Sequence, residues 1–129
     1  LDYKHMLEII LTKSQGILIC GGDFNIHLNP KIDSSNGKPD SSHLRKKVNK
    51  YMKEMGIIDI WRETNPTGRE YTYYSGAHNG YSRIDLFLMF KTDVFRVIKC
   101  DIRTCIMSDH NPVYLSVELK DRIKSTLWK

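Results

Sequence analysis

The sequence predicts a mixed α/β fold (α+β), because stretches with the spacing of amphipathic helices alternate with short apolar or alternating stretches typical of strands. Glycine, proline, asparagine and aspartate separate these stretches, as expected for turns between elements. The length of 129 residues fits one domain or part of one. A composition of 40% hydrophobic and 27% charged residues excludes collagen-like, low-complexity and wholly disordered chains.

The first two predicted elements are a helix and a strand. Apolar residues at helical spacing mark the helix, which ends near Gly16, and they are Tyr3, Met6, Leu7, Ile10 and Leu11. The unbroken apolar run 17–20 lies between glycines and predicts a strand that is buried on both faces. Asp23 and Asn25 follow where this strand is expected to end.

A polar loop and a second helix come next. The range 29–42 is rich in proline, aspartate, serine, asparagine and glycine, which predicts a surface loop with Ser41 or Ser42 as the N-cap of the following helix. That helix is predicted by apolar residues at helical spacing, namely Leu44, Val48, Tyr51, Met52 and Met55. Its basic residues are interpreted as a solvent-exposed face in preference to a phosphate-binding surface, and they are Arg45, Lys46, Lys47 and Lys50.

The middle of the chain is predicted to form strands and turns. The range 57–62 fits either a short strand or a helical turn, and the range 65–68 is a turn signal. The ranges 71–74 and 84–89 are rich in strand-forming residues and predict a hairpin with a long loop.

The last two predicted strands enclose a turn with chemically active side chains. Apolar and polar residues alternate over 98–102 and 113–119, which predicts two neighbouring, half-buried strands. The turn between them contains Ser108, Asp109 and His110, so an acid and an imidazole again lie at a strand end.

The net charge of the chain bears on its partners, and its cysteines bear on its compartment. The chain has 20 Lys and Arg against 15 Asp and Glu, and the net charge of +5 weakly favours polyanionic partners such as nucleic acid. The cysteines lack the spacing of metal sites and are interpreted as reduced, structural thiols. No apolar stretch approaches the ~18 residues of a membrane span, and no signal-peptide pattern is present. Because the chain begins at Leu1, we expect it to be a segment of a longer protein.

Residues at strand ends supply the groups that metal-assisted phosphodiester hydrolysis needs, and they are Asp23, Asn25, Asp85, Asp109 and His110. A simpler interpretation is open for most of them, because Asp, Asn and His in turns often bond only to nearby backbone. Asp85 is the exception, since a carboxylate between Ile84 and Leu86 is costly without a partner. We predict that Asp85 pairs with His110 and keeps the imidazole charged.

These residues belong to ordered motifs, namely Gly-Gly-Asp-Phe-Asn at 21–25, Ile-Asp-Ile-Trp-Arg at 58–62, Tyr-Thr-Tyr-Tyr-Ser at 71–75, Ser-Arg-Ile-Asp at 82–85 and Ser-Asp-His-Asn at 108–111. Through them the chain resembles the C-terminal half of the endonuclease/exonuclease/phosphatase superfamily, and most of all the apurinic-type endonuclease of LINE retrotransposons. The resemblance implies a DNase I-like fold of four layers, in which a β-sandwich is flanked by helices. Residues 1–120 would be the C-terminal half of that domain, with the N-terminal half absent, and residues 121–129 would begin a linker to a following domain.

The resemblance also implies roles in catalysis. Asp23 would orient or deprotonate the attacking water, and Asn25 would stabilise the phosphoryl group in the transition state. His110, paired with Asp85, would contact the scissile phosphate.

Metal and DNA contacts are implied for further residues. Asp109 would bind the metal or lie by the leaving group, and Thr72 and Ser108 would support the site. A hairpin would bind DNA at the minor groove through Ser75, Gly76, His78, Asn79, Tyr81, Ser82 and Arg83. The cofactor would be Mg²⁺ or Mn²⁺, but the main glutamate ligand of the family comes from the N-terminal half and has no counterpart here.

Three functions stay open. The first is a Mg²⁺-dependent DNA endonuclease that nicks target DNA for retrotransposition in the nucleus, with DNA and a reverse transcriptase domain of the same polyprotein as partners and no membrane, haem or nucleotide cofactor. The second is a catalytically inactive, truncated or domesticated remnant that at most binds nucleic acid or protein. The third is a phosphatase of inositol or lipid phosphates, which the hairpin at 75–82 disfavours.

Overall fold

The structure is a computed structural model that describes residues 16–36 and 42–119, together with His5 and Glu8. Within this part the strands form a three-stranded antiparallel sheet of order β1-β5-β2 and two antiparallel pairs, β3-β4 and β6-β7. The strands are β1 (Ile19–Asp23), β2 (Ile57–Asp59), β3 (Tyr73–Ser75), β4 (Gly80–Ser82), β5 (Asp85–Phe90), β6 (Val97–Ile102) and β7 (Val113–Val117).

Helices connect these strands, and those described are α1 (Pro30–Asp33), α2 (His43–Met55), α3 (Ile60–Thr64) and a 3₁₀ helix at Lys91–Arg96. The predicted N-cap of α2 is confirmed, since Ser42 Oγ accepts a hydrogen bond from the backbone N–H of Arg45. Gly56 ends the same helix with φ of 68°, a left-handed conformation that glycine adopts without strain. No described helix is both long enough and apolar enough to cross a membrane.

Two apolar clusters lie on opposite faces of β5, because successive side chains of a strand point to opposite sides of the sheet. The first cluster joins the sheet to α2 and contains Ile26, Val48, Met52, Ile57, Leu86 and Leu88. The second joins the sheet to α3 and to the β6-β7 pair, and contains Ile60, Trp61, Met89 and Cys100. The predicted mixed α/β class is confirmed, and β5 is its central strand.

Several local predictions are confirmed. The neighbouring strands predicted at 98–102 and 113–119 are β6 and β7. The range 57–62 contains both predicted alternatives, since the strand β2 is followed directly by α3. The three cysteines are free thiols, and burial raises the pKa of the Cys100 thiol to about 11, which suits a structural residue.

Other predictions were wrong in their tertiary placement. The strand predicted to be buried on both faces is the edge strand β1, and Ile19 is 39% exposed. The predicted long-looped hairpin is a tight one, because β3 pairs with β4 while β5 pairs with β1 and β2. The predicted loop 29–42 contains α1, because Asn29 caps it and Pro30 suits its first turn. The helix predicted over 3–11 lies outside the described residues, apart from His5 and Glu8.

Candidate active site

The antiparallel register of β1 and β5 brings two carboxylates together. Asp23 is the last residue of β1, Asp85 is the first residue of β5, and the two are direct partners across the sheet. Side chains at opposed positions lie on the same face, with Cβ atoms about 4.5–5.5 Å apart. Because like charges at such positions repel each other, the pair favours a cation beside it.

His110 lies beside both carboxylates. Its Nδ1 is 2.8 Å from Asp85 Oδ2, and its Nε2 is 4.0 Å from Asp23 Oδ2. The contact predicted between Asp85 and His110 is therefore present. The ring of Tyr73 packs on the imidazole, with 4.7 Å between centroids. The His110 side chain is 35% exposed, so part of the imidazole remains accessible from solvent.

The pKa of His110 is raised above its ordinary value of 6.5. The hydrogen bond with Asp85 is the largest cause, partial burial opposes it, and the charges of Asp85, Asp23 and Asp109 add to it. The imidazolium thus persists to higher pH than in a histidine without these neighbours. Since the folded state binds this proton more tightly than the unfolded state, the contribution of His110 to stability is fully present below the unfolded pKa. That contribution is lost as pH rises through the raised pKa.

Asp85→Asn is expected to lower the pKa of His110, because the amide removes both the charge and the strongest hydrogen-bond acceptor of the imidazole. NMR titration of the His110 ring protons measures this change directly. Asp101→Asn is a matched control, because Asp101 pairs with Lys99 on β6. A His110 pKa that is unchanged in Asp85→Asn would show that the contact does not control the imidazole.

Thr72 fixes the backbone that carries Asp85. It is fully buried, and its Oγ1 accepts hydrogen bonds from the backbone N–H groups of Ile84 at 3.0 Å and Asp85 at 3.1 Å. Thr72 also bonds to the loop 103–112 between β6 and β7, which carries His110 and is called the histidine loop. In this contact Asn111 N–H donates to the carbonyl of Thr72 at 2.7 Å. Thr72 therefore joins the two chain segments that supply Asp85 and His110.

Thr72→Val is expected to lower the free energy of unfolding by about 1–3 kcal/mol, because the methyl group keeps the shape but leaves two backbone N–H groups without an acceptor. Urea denaturation measures the loss. Thr72→Ser retains the hydroxyl and should recover most of the lost stability. Equal losses in the valine and serine variants would assign the effect to packing.

The turn after β1 directs the Asp23 side chain. Asn25 has φ of 50°, a left-handed conformation that asparagine tolerates, and its N–H donates to Asp23 Oδ1 at 2.8 Å. In the histidine loop, Ser108 Oγ accepts from the N–H of His110 at 3.1 Å. The local turn bonds expected from the simpler interpretation are thus present. The turn bond uses Oδ1 of Asp23, and Oδ2 faces His110.

The donor set at this point suits a divalent cation. Among the described residues, Asp23, Asp85 and His110 each offer a ligand atom, and these atoms all lie within 4.8 Å of one another. Carboxylate oxygens are the ligands that Mg²⁺ and Mn²⁺ prefer. The predicted metal ligand Asp109 is not one of the three, although its charge acts on His110.

The hairpin predicted to bind DNA divides into exposed and buried residues. The turn residues Gly76, His78 and Asn79 are exposed, Tyr81 is 51% exposed, and Ser75 and Ser82 are half-buried. Ser82 faces a cleft of about 570 Å³ that is also lined by Asn25 and Tyr81.

The prediction for Arg83 was wrong. Its side chain is 1% exposed and bonds to the carboxylates of Asp33 and Asp59, so it does not face a DNA surface. Burial opposes its charge, but the hydrogen bonds and charges of Asp59 and Asp33 outweigh that effect and raise the pKa of Arg83.

The sequence interpretation missed residues that border the site. His27 Nε2 lies 2.8 Å from Ser82 Oγ, which ties the loop after β1 to the hairpin. Asn111 Oδ1 accepts from Cys105 N–H, and Asn111 Nδ2 donates to the carbonyl of Tyr71. Their positions next to the recognised motifs were the available signal, because both follow a site aspartate by two to four residues.

No protein-family model matches the chain. Over 118 residues the chain is 31% identical to the Transposon TX1 uncharacterized 149 kDa protein of Xenopus laevis. The aligned stretch covers 89% of this chain and 9% of that protein. The chain therefore spans a small part of this curated relative.

Solved nucleases share the fold. An AP endonuclease from Archaeoglobus fulgidus superposes with a TM-score of 0.73 at 20% identity, over 89% of this chain and 51% of that one. The 3'-5' exonuclease NExo from Neisseria meningitidis gives a TM-score of 0.71 at 22% identity, over 88% and 50%. The endonuclease domain of TRAS1, a telomere-specific non-LTR retrotransposon, gives 0.68 at 16% identity, over 92% and 51%.

The chain thus spans about half the length of these solved structures. The resemblance drawn from the motifs is confirmed at the level of the fold. The chain has the endonuclease/exonuclease/phosphatase fold of AP-type nucleases, which it shares with a non-LTR retrotransposon endonuclease, and it is similar in sequence to part of a transposon protein.

Proposed function

We propose that this chain is part of a metal-dependent DNA endonuclease encoded by a transposable element, with Asp23, Asp85 and His110 at its catalytic centre. The observation that carries the proposal is the opposition of the two aspartates across β1 and β5, with His110 beside both. The likeness to a transposon protein and to nucleases that share the fold supports the substrate class. A reverse transcriptase domain in the same polyprotein and a nuclear site of action belong to the same proposal.

His110 acts as the proton-bearing group in this mechanism. Asp85 accepts the Nδ1–H of the imidazolium, which leaves Nε2–H on the accessible side of the ring. From there Nε2–H donates to a non-bridging oxygen of the phosphodiester, where negative charge increases in the transition state. Asp85 orients the ring and stabilises its charge.

Asp23 and Asn25 act on the attacking side. Asp23 Oδ1 is used by the local turn, so Oδ2 is the atom that accepts a proton from the attacking water. The Asn25 amide lies in the loop that lines the adjoining cleft, where it donates to the phosphoryl group. Ser108 supports the loop that presents His110.

A divalent cation, Mg²⁺ or Mn²⁺, would be bound by the carboxylates of Asp23 and Asp85, with Asp109 as a further predicted ligand. When bound, it would lower the negative charge on the scissile phosphate and stabilise the leaving oxygen.

Nicking of supercoiled plasmid tests the function. The chain alone, and the chain extended toward its N-terminus by the encoding reading frame, are incubated with Mg²⁺ or with EDTA. We expect the extended protein to nick DNA with Mg²⁺ only, and Asp23→Asn to abolish nicking. Hydrolysis of inositol phosphates without any nicking would favour the phosphatase alternative, and no activity in either assay would favour an inactive remnant.

Tyr81→Ala is expected to weaken DNA binding about fivefold or more, equivalent to about 1 kcal/mol, because its exposed ring lies on the hairpin beside the cleft. Fluorescence anisotropy with a labelled duplex measures the affinity. Tyr114→Ala is a matched control, since Tyr114 is 48% exposed on β7 in a different sheet. Equal affinities of the two variants would exclude the hairpin as the DNA contact.

A further inference from the structure

Arg83 lies at the centre of a buried ionic cluster. Its Nε donates to Asp33 Oδ1 at 2.9 Å, and its terminal nitrogens donate to both oxygens of Asp59. Arg62 shares Asp33, with 2.5 Å between Arg62 Nη2 and Asp33 Oδ1. The ring of Trp61 lies 5.0 Å from the Arg83 guanidinium carbon. Arg83, Asp33 and Asp59 are 1%, 1% and 9% exposed, so the charges of the cluster are almost removed from water.

Such a cluster contributes little net stability to a fold. Desolvation of buried charges offsets much of their attraction, and well-packed apolar residues often stabilise as well or better. The cluster does provide fixed directions, because a guanidinium donates along several defined axes at once. Its position therefore suggests that geometry is what it provides.

The segment fixed by the cluster leads directly to Asp85. Arg83 and Ile84 lie between β4 and β5, and they connect the hairpin to the catalytic strand. On one side, Arg83 N–H donates to the carbonyl of Asp33 at 2.8 Å, and its side chain bonds to the carboxylate of the same residue. On the other side, Thr72 Oγ1 accepts the N–H groups of Ile84 and Asp85. The backbone of Asp85 is thus fixed from both sides.

The hydrogen bond between Asp85 and His110 depends on the position of the Asp85 backbone. At 2.8 Å it lies within the range of good hydrogen bonds, and a shift of about 1 Å would remove it. We propose that Arg83 is a positioning residue, which acts through Asp33 and Asp59 to hold Asp85 at hydrogen-bond distance from His110. The catalytic consequence rests on the proposed function, whereas the positioning itself does not.

Arg83→Lys tests the proposal, because lysine keeps the charge but cannot donate to two carboxylates in the directions of the guanidinium fork. The readout is the low-field NMR resonance of the His110 Nδ1 proton in the 129-residue chain, which Asp85→Asn assigns by abolishing it. We expect Arg83→Lys to shift or remove this resonance. Val48→Ala is the control, since it weakens the other apolar cluster and should leave the resonance unchanged while the chain is folded.

Asp59→Asn provides a second, milder change that leaves Arg83 and Asp33 in place, and it should move the same resonance. A resonance that stays unchanged in both variants would overturn the proposal. The proposal would also be overturned if the Arg83 variants lost the resonance only to the extent that they unfold. That result would assign Arg83 to stability alone.

The enzymatic consequence is measured separately in the N-terminally extended protein. There Arg83→Lys should lower kcat for nicking about tenfold or more without raising KM, because ground-state binding does not use Arg83. If the extended protein has no nuclease activity, the proposed function fails while the NMR result still decides the positioning role.

Discussion

His110→Ala is expected to lower the rate of DNA nicking about 10²–10⁴-fold, the range that general acid–base groups contribute. The substitution removes the only imidazole that the structure places beside both Asp23 and Asp85, among the residues it describes. It also removes the positive charge of the imidazolium from beside two opposed carboxylates, whose negative charge repels an anionic phosphate.

The pH dependence of nicking tests the same residue with a defined sign. Because the charged imidazole is the active form and its pKa is raised, activity should fall as pH rises through that pKa, above the ordinary value of 6.5. Asp85→Asn should move this fall to lower pH, since it removes the main cause of the shift.

Single-turnover nicking in the N-terminally extended protein measures both effects. His43→Ala is the matched control, because His43 is an exposed imidazole at the start of α2. A His110→Ala rate within about threefold of the control, where a catalytic group should give at least 10²-fold, would exclude His110 from catalysis.

Local patterns in the sequence were sufficient for most elements and for the central contact of the site. The alternation that predicts β6 and β7 depends on one buried face, which the pair has, and the spacing that predicts α2 places Val48 and Met52 in the core. The pairing of Asp85 with His110 followed from the cost of an unpartnered carboxylate in an apolar run.

What the sequence could not provide was which strand pairs with which. An apolar run fits a central or an edge strand equally well, so the edge position of β1 became visible only in the sheet order. The residues 71–90 contain three strands where two were predicted, because the predicted loop contains β4, which pairs with β3, and Arg83 and Ile84 separate β4 from β5.

The burial of Arg83 could not be predicted from the sequence, for a related reason. An arginine next to a predicted DNA hairpin is expected in solvent. Its burial is offset by two carboxylates that are 50 and 24 residues away in the chain. No local pattern connects Asp33, Asp59 and Arg83, since their contact exists only after α1, β2 and the segment before β5 have packed together.

Arg83→Met is expected to lower the free energy of unfolding by about 3–5 kcal/mol, because it leaves the buried carboxylate of Asp59 without its side-chain partner and leaves Asp33 with Arg62 as its remaining ion-pair partner. For a domain whose total stability is about 5–15 kcal/mol, such a loss brings the chain close to unfolding. Guanidinium denaturation followed by tryptophan fluorescence measures it, since Trp61 lies next to the cluster.

Two further variants separate the loss of charge pairing from the loss of a long side chain. Lys50→Met removes an exposed cation whose pair with Glu54 spans 3.9 Å, and it should cost less than about 1 kcal/mol. Adding Asp59→Asn to Arg83→Met should recover part of the loss, because it neutralises the carboxylate that has no remaining cation. If the double variant is no more stable than Arg83→Met, the cost lies in packing against Trp61, and the ionic cluster contributes no specific stability to the fold.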